Sequence, residues 1–195
     1  MTLVLLDTNA YLRLAKRVKP MLGVTFGQKD YILTILKEVE DEVHRNPRLQ
    51  FKFPWFDDQQ IASERMAARV RLNENERKGL EVAASVFRGH VLSNAGNYKT
   101  PPSSTDCRVL AFGQIRSAIV VTDDLSMHQL ASEFSINDMW HGHELLRRML
   151  TAKMITNDQV REIFEALEIN NDLPASWKKA KHTEFVKIFG KAPSS

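Results

Sequence analysis

Apolar and polar positions follow two different periods along this chain, and the changes of period mark its elements. Thr2 to Leu6 is a short β-compatible run that Asp7-Thr8-Asn9 interrupts, after which Leu12, Leu14 and Val18 fall in a helical stretch. Tyr31 to Leu36 reads as a second strand. Lys37 to Arg45 then reads as a helix, with Val39 and Val43 four apart on one face and Asn46-Pro47 at its end. Helices are expected from about Asp57 to Arg71 and from about Asn73 to Arg88, the second opened by Asn73 with Glu76 at the capping-box spacing. Gly89 to Thr105 holds Gly96, Pro101-Pro102 and Ser103-Ser104-Thr105, a loop composition that ends in capping residues.

Asp106 stands at the start of a helix carrying Val109, Leu110, Phe112 and Ile115. Ser117 to Thr122 follows as a buried strand ending at Asp123-Asp124, and Ser126 with Gln129 fits a capping box for the next helix. His143 to Leu150, Thr156 to Leu167 and Ser176 to Phe189 are further helices; Thr156 and Gln159 form a capping box, and Gly190 stops the last. Strands that alternate with helices predict an α/β fold, a mostly parallel sheet sandwiched by helices with extra helices at the C-terminus. Residues 1–150 form the expected main domain, and 151–195 a helical extension.

Composition narrows the class. The chain has 195 residues, 43% hydrophobic and 26% charged, with eight Gly and seven Pro, values of an ordinary globular protein and not of a disordered or fibrous one. The longest apolar runs, Leu3–Leu6 and Ala118–Val121, are far shorter than a membrane span, so no membrane association is expected. The N-terminus lacks the pattern of a secretory signal, and the single cysteine, Cys107, has no partner for a disulfide or zinc knuckle, which together favour a reducing, cytoplasmic setting. The net charge is +3, but from Ser176 onward five lysines face only Glu184, a local +4. That basic tail is either an attractor of polyanions such as nucleic acid or a solvated helix face.

In parallel α/β sheets, ligands bind beyond the carboxyl ends of the strands. Asp7 directly follows the first strand, Asp123 and Asp124 follow another, Asp106 opens a helix, and Glu42 lies in the helix after strand two. Taken singly, Asp7 and Asp106 read as helix caps, Asp123-Asp124 as a turn, and Glu42 as one solvated acid among Glu38, Glu40 and Asp41. Their combination carries the functional signal.

Val4-Leu5-Leu6-Asp7-Thr8-Asn9, a Glu in the helix after strand two, Ser104-Thr105-Asp106 before an apolar helix, and Val120-Val121-Thr122-Asp123-Asp124 resemble, in this order, the acidic motifs of PIN-domain nucleases. The resemblance covers about residues 1–150. It implies that Asp7, Asp106 and Asp124 are the first, third and fourth acids, with Asp123 in a variable slot. Glu38 and Glu42 both fit the second position, and Glu42 is favoured because it lies nearer the stripe of Val39 and Val43. The implied activity is metal-dependent cleavage of RNA, with Asp7, Glu42, Asp106 and Asp124 as both catalytic and metal-binding residues and Mg²⁺ or Mn²⁺ as cofactor. Thr8 and Asn9 are expected to orient ligands or contact a phosphate, and Thr122 to hydrogen-bond an acid. RNA is the implied substrate, with an antitoxin protein and a homodimer as further partners to consider.

A dehalogenase-type phosphatase also starts from an early strand-end Asp, but its chemistry requires a general acid two positions on, where this chain has Asn9. A non-cutting PIN-like module that binds RNA or protein is the alternative from another class. His141-Gly142-His143 reads as a surface turn rather than a metal site. Phe51, Phe53, Trp55 and Phe56 beside Arg48 and Lys52 read as packing anchors in preference to a base-stacking platform.

Overall fold

The computed structural model describes residues 1–192. In chain order the elements are β1 (Thr2–Leu6), α1 (Thr8–Leu14), β2 (Thr25–Phe26), β3 (Tyr31–Thr34), α2 (Lys37–Arg45), α3 (Pro47–Lys52), α4 (Gln59–Ala68), α5 (Glu74–Ser93) and α6 (Ser104–Arg116). There follow β4 (Ile119–Val121), α7 (Leu125–Glu133), β5 (Met139–Trp140), α8 (Gly142–Thr151), α9 (Asn157–Ile169), α10 (Ala175–Lys181) and α11 (Val186–Phe189). Single 3₁₀ turns cover Pro54–Asp57 and Ala95–Asn97.

The five strands form one sheet in the order β2-β3-β1-β4-β5. β1 pairs in parallel with β3, Thr2 opposite Tyr31, and with β4, Leu6 opposite Val121; β5 is parallel to β4, and only the edge strand β2 is antiparallel. The fold is therefore α/β, with a mostly parallel sheet flanked by helices, as the alternation of elements predicts. Val4, Leu5 and Leu6 are wholly buried, because helices cover both faces of a central parallel strand and leave no side for polar alternation.

Several local expectations are corrected. Asn46-Pro47 does close α2, but it also opens α3: Asn46 Oδ1 accepts the Arg48 N–H at 3.1 Å, and Pro47 takes the first helical position, where no N–H is needed. The expected loop from Gly89 is helical as far as Ser93, since the apolar stripe Leu80, Ala84, Phe87 and Val91 runs past the glycine into the core. Helix α7 is capped by Asp124, whose Oδ1 accepts the Ser126 N–H at 2.7 Å, and not by Ser126; Gln129 bonds instead to Glu133 at 3.0 Å. The last helix is broken between Lys181 and Val186, where the N–H groups of Thr183, Glu184 and Phe185 all turn back to the Ala180 carbonyl and Phe185 enters the core.

The C-terminal helices share the sheet's core. Val160, Ile163, Phe164, Leu167, Trp177 and Phe185 belong to the same buried cluster as the strands. Among the described residues no helix is long and apolar enough to cross a membrane.

Candidate functional site

β1 is the strand at which the connections reverse: the chain moves from β1 to β3 on one side and later crosses to β4 on the other. A crevice beyond the carboxyl ends of β1 and β4 is the expected consequence. Asp7 follows β1 directly, and its N–H donates to the Val121 carbonyl at 3.1 Å, which holds the two strand ends together. Its side chain is buried, at 3% exposure. Oδ1 accepts the Ala10 N–H at 2.5 Å as the cap of α1, and Oδ2 accepts the Thr122 hydroxyl. The same hydroxyl accepts the Asp124 N–H at 3.1 Å, so Thr122 ties the first and last acids together.

Asp106 sits at the third helical position of α6. Its Oδ2 accepts the Ser103 N–H at 2.7 Å, and the Ser103 hydroxyl accepts the Asp106 N–H in return. Glu42 reaches in from α2 and accepts the Thr8 hydroxyl at 2.6 Å. An open recess of about 370 Å³ lies beside it, lined by Glu42, Arg45, Asn46, Pro47, Ser104 and Thr105. The capping reading thus holds for Asp7 and Asp106, and Asp124, read as part of a turn, caps α7 as well; none of this excludes a site. Each of the three carboxylates gives one oxygen to a backbone N–H at its helix start.

The acids act on one another electrostatically. Burial pushes the Asp7 carboxyl up to about 7 against the hydrogen bonds from Thr122 and Ala10, and the charges of Asp123 and Asp106 raise it further. Burial also raises Asp106; its bonds to Ser103 oppose the shift, while the charges of Glu42 and Asp124 add to it. Among the described residues no Lys, Arg or His pairs with Asp7, Glu42, Asp106 or Asp124, whereas Glu38 is paired with Arg108, Glu40 with Arg65 and Arg69, and Asp123 with Arg13. That contrast separates Glu42 from Glu38.

Asp123 belongs to a different arrangement. Its Oδ2 accepts from Arg13 Nη1 at 3.0 Å and from Trp177 Nε1 at 2.9 Å, its Oδ1 accepts the Gly142 N–H at 3.1 Å, and His141 Nδ1 lies 3.6 Å away. Burial alone would raise this carboxyl, but His141, Arg13, Gly142 and Trp177 outweigh it and hold it below its ordinary value. The contact with Asp123 in turn pushes His141 up. His141-Gly142-His143 is therefore no surface turn: His141 precedes α8, His143 is buried and lies 3.1 Å from Glu184, and the rings of His128 and His141 stack at 4.2 Å. Gly142 has no room for a side chain, because a Cβ there would sit 2.7 Å from the Trp177 ring and 2.9 Å from Asp123 Oδ2. None of these partners was identifiable from the residues around Asp123, since Arg13 and Trp177 come from distant segments.

Among the described residues no three His, Cys, Asp or Glu side chains form a ready-made cage for a metal ion. The donors at the acidic end are nevertheless all oxygens without a cationic partner, which suits a hard divalent ion; magnesium in particular is held by one or two carboxylates and keeps several waters.

In the C-terminal tail, Lys181 bonds to Glu168 at 2.6 Å and lies over the Phe189 ring, whereas Lys178, Lys179 and Lys187 are exposed. No protein-family model matches this chain, and no curated protein matches it. A chain of the crystal structure of FitAcB from Neisseria gonorrhoeae is similar over 71% of this chain and 97% of that one, at 14% identity and a TM-score of 0.41. A likeness of that degree bears on neither activity nor partners.

Proposed function

We propose that this chain is a PIN-like, divalent-metal-dependent endoribonuclease whose acids are Asp7, Glu42, Asp106 and Asp124. The observation that supports this reading is that Asp7, Glu42, Asp106 and Asp124 have no cationic partner among the described residues, while Glu38, Glu40 and Asp123 beside them are each paired with an arginine. Uncompensated carboxylates in mutual range are costly unless a cation joins them. Asp7 and Asp124, tied through Thr122, and Asp106 with Glu42 across the crevice are the groups that would hold it. The chemistry supplied by a bound Mg²⁺ or Mn²⁺ is activation of water and neutralisation of charge at a phosphodiester. The protein's part is positional. Thr8 fixes Glu42, Thr122 fixes Asp7 and Asp124, and the caps of α1, α6 and α7 fix the backbone that carries three of the acids.

An antitoxin protein that covers the acidic recess is the partner this reading brings with it, and a small reading frame beside the gene would favour the toxin role. That no three His, Cys, Asp or Glu side chains form a ready cage among the described residues favours a second reading, a PIN-like module that binds RNA or protein without cutting. Cleavage assays on a panel of single-stranded RNAs with manganese, magnesium or EDTA separate the two. Cleavage that requires the metal, together with an Asp106→Asn variant that is inactive and gains less thermal stability from manganese than wild type, is the expected result. Intact RNA with no calorimetric heat of divalent-ion binding would leave the binding module.

A further inference from the structure

A second feature lies on the flank of the molecule, away from the acids. The end of α1, the segment Phe51–Trp55 and the end of α9 enclose a groove of about 370 Å³, within the roughly 300–1,000 Å³ typical of ligand sites. Its charged lining is Arg13, Lys16, Arg17 and Lys52 against Asp172 alone. Asp172 lies 3.4 Å from Arg13 and 3.5 Å from Lys52, which leaves Lys16 and Arg17 with no carboxylate partner among the described residues.

The aromatic residues of this segment divide into anchors and a free ring. Phe56 is buried edge-on against Tyr11 at 6.1 Å, with the Arg65 guanidinium 3.7 Å from its ring centre. Phe53 and Trp55 meet edge to face at 5.8 Å and rest on the core. Phe51 packs on nothing of the kind and is 90% exposed. An exposed phenylalanine on a segment pinned by its neighbours, beside two unpaired cations, is a preorganised surface for a ligand that is flat, apolar on its faces and anionic along its length.

We propose that this groove binds single-stranded RNA, with a base stacked on Phe51 and phosphates held by Lys16, Arg17 and Lys52. The inference rests on the nuclease reading for its choice of ligand. An acidic peptide would also meet the cations, but it offers no planar face to the exposed ring. The position suits a strand that continues to the acids, because α1 starts at Asp7 and ends at the groove, and Arg13 joins the groove to Asp123, the neighbour of Asp124. An RNA held here enters the acidic crevice a few nucleotides further along.

The test is binding of a fluorescein-labelled oligouridylate to the full-length chain in EDTA, read by anisotropy at several salt concentrations. Phe51→Ala should weaken binding roughly ten- to a hundredfold and Phe51→Tyr should restore it, since any aromatic face stacks. The pair Lys16→Ala and Arg17→Ala should lower the slope of log K against log salt by about 1.4. Unchanged melting temperatures, expected because Phe51 and Lys16 are exposed and the half-buried Arg17 has no carboxylate partner among the described residues, assign these losses to binding. Wild-type affinity and slope in all the groove variants would overturn the proposal even if the protein cleaves RNA. So would a groove that takes polyglutamate and ignores the oligonucleotide. If the groove variants lose RNA binding but no metal elicits cleavage, the groove stands and the nuclease reading falls.

Discussion

Trp177 Nε1 donates to Asp123 Oδ2 at 2.9 Å, so a residue of the C-terminal extension completes the hydrogen bonding of the loop that carries Asp124. Trp177 is fully buried, and its ring also packs on Phe164 at 5.3 Å. Trp177→Phe keeps most of that packing and removes the N–H, so urea unfolding should show a loss of about 1–3 kcal/mol for the underused carboxylate oxygen. Trp177→Ala adds a cavity and should cost about 3–5 kcal/mol. If the Phe variant costs nothing in wild type and nothing in an Asp123→Asn background, the hydrogen bond does not stabilise the loop.

Gly142→Ala should destabilise the protein, because the added methyl has two rigid neighbours, the Trp177 ring and the Asp123 carboxylate. A loss of about 1–3 kcal/mol is expected from overpacking, visible as a lower melting temperature. Gly89→Ala is the control: nothing lies within 4 Å of a Cβ there, and a helical alanine in place of glycine should stabilise by about 0.5–1 kcal/mol.

Glu42→Gln and Glu38→Gln should behave differently. Glu42 has no cationic partner among the described residues and accepts only the Thr8 hydroxyl, so its loss should remove RNA cleavage, at least a hundredfold in initial rate, with little effect on melting. Glu38 pairs with Arg108 at 2.8 Å in a partly exposed position, and its replacement should cost under about 1 kcal/mol of stability with activity retained. The reverse pattern in rates would move the second acid to Glu38.

The pH dependence of metal-free protein follows from Asp7. Its carboxyl is raised from 3.8 to about 7, so between these values the folded chain holds a proton that the unfolded chain has released. The stabilisation is complete below about pH 4 and is lost as the pH rises through about 7. In EDTA, stability should therefore fall over that window by a few kcal/mol at most, and Asp7→Asn should flatten the fall. A wild-type curve that rises steadily from pH 4 to 7 with the same shape in Asp7→Asn would show that this carboxyl ionises as in the unfolded chain.

The fold was legible wherever local pattern and tertiary role coincide. β1 and α2 appear at their expected bounds, because Val4-Leu5-Leu6 is a continuous apolar run and Val39 and Val43 form a helical stripe. The strand β5 was not legible: Met139–Trp140 is a strand only because Val120 and Val121 lie alongside it, and two residues set no period. At the site, the positions of Asp7 and Asp106 at helix starts were readable from the strand end and the capping residues, whereas Asp124 was readable only as following a strand, its role as the cap of α7 having been assigned to Ser126. Glu42 was separable from Glu38 only by weak helical phase, and the difference the structure adds, Glu38's Arg108 partner, lies 70 residues away. The role of Asp123 left no local trace, because its turn-like surroundings say nothing of Arg13, 110 residues away.

The Trp177–Asp123 bond also has a meaning in time. A polypeptide leaves the ribosome N-terminus first, so Asp7, Glu42, Asp106 and Asp124 all emerge before the tryptophan, which lies 54 residues beyond its partner. Until then Asp123 lacks one of its donors, and α8 has no indole to seat Gly142 against. The final setting of the β4 loop therefore belongs to the finished chain, and a nascent protein carries its acids out of the ribosome before the support behind them exists.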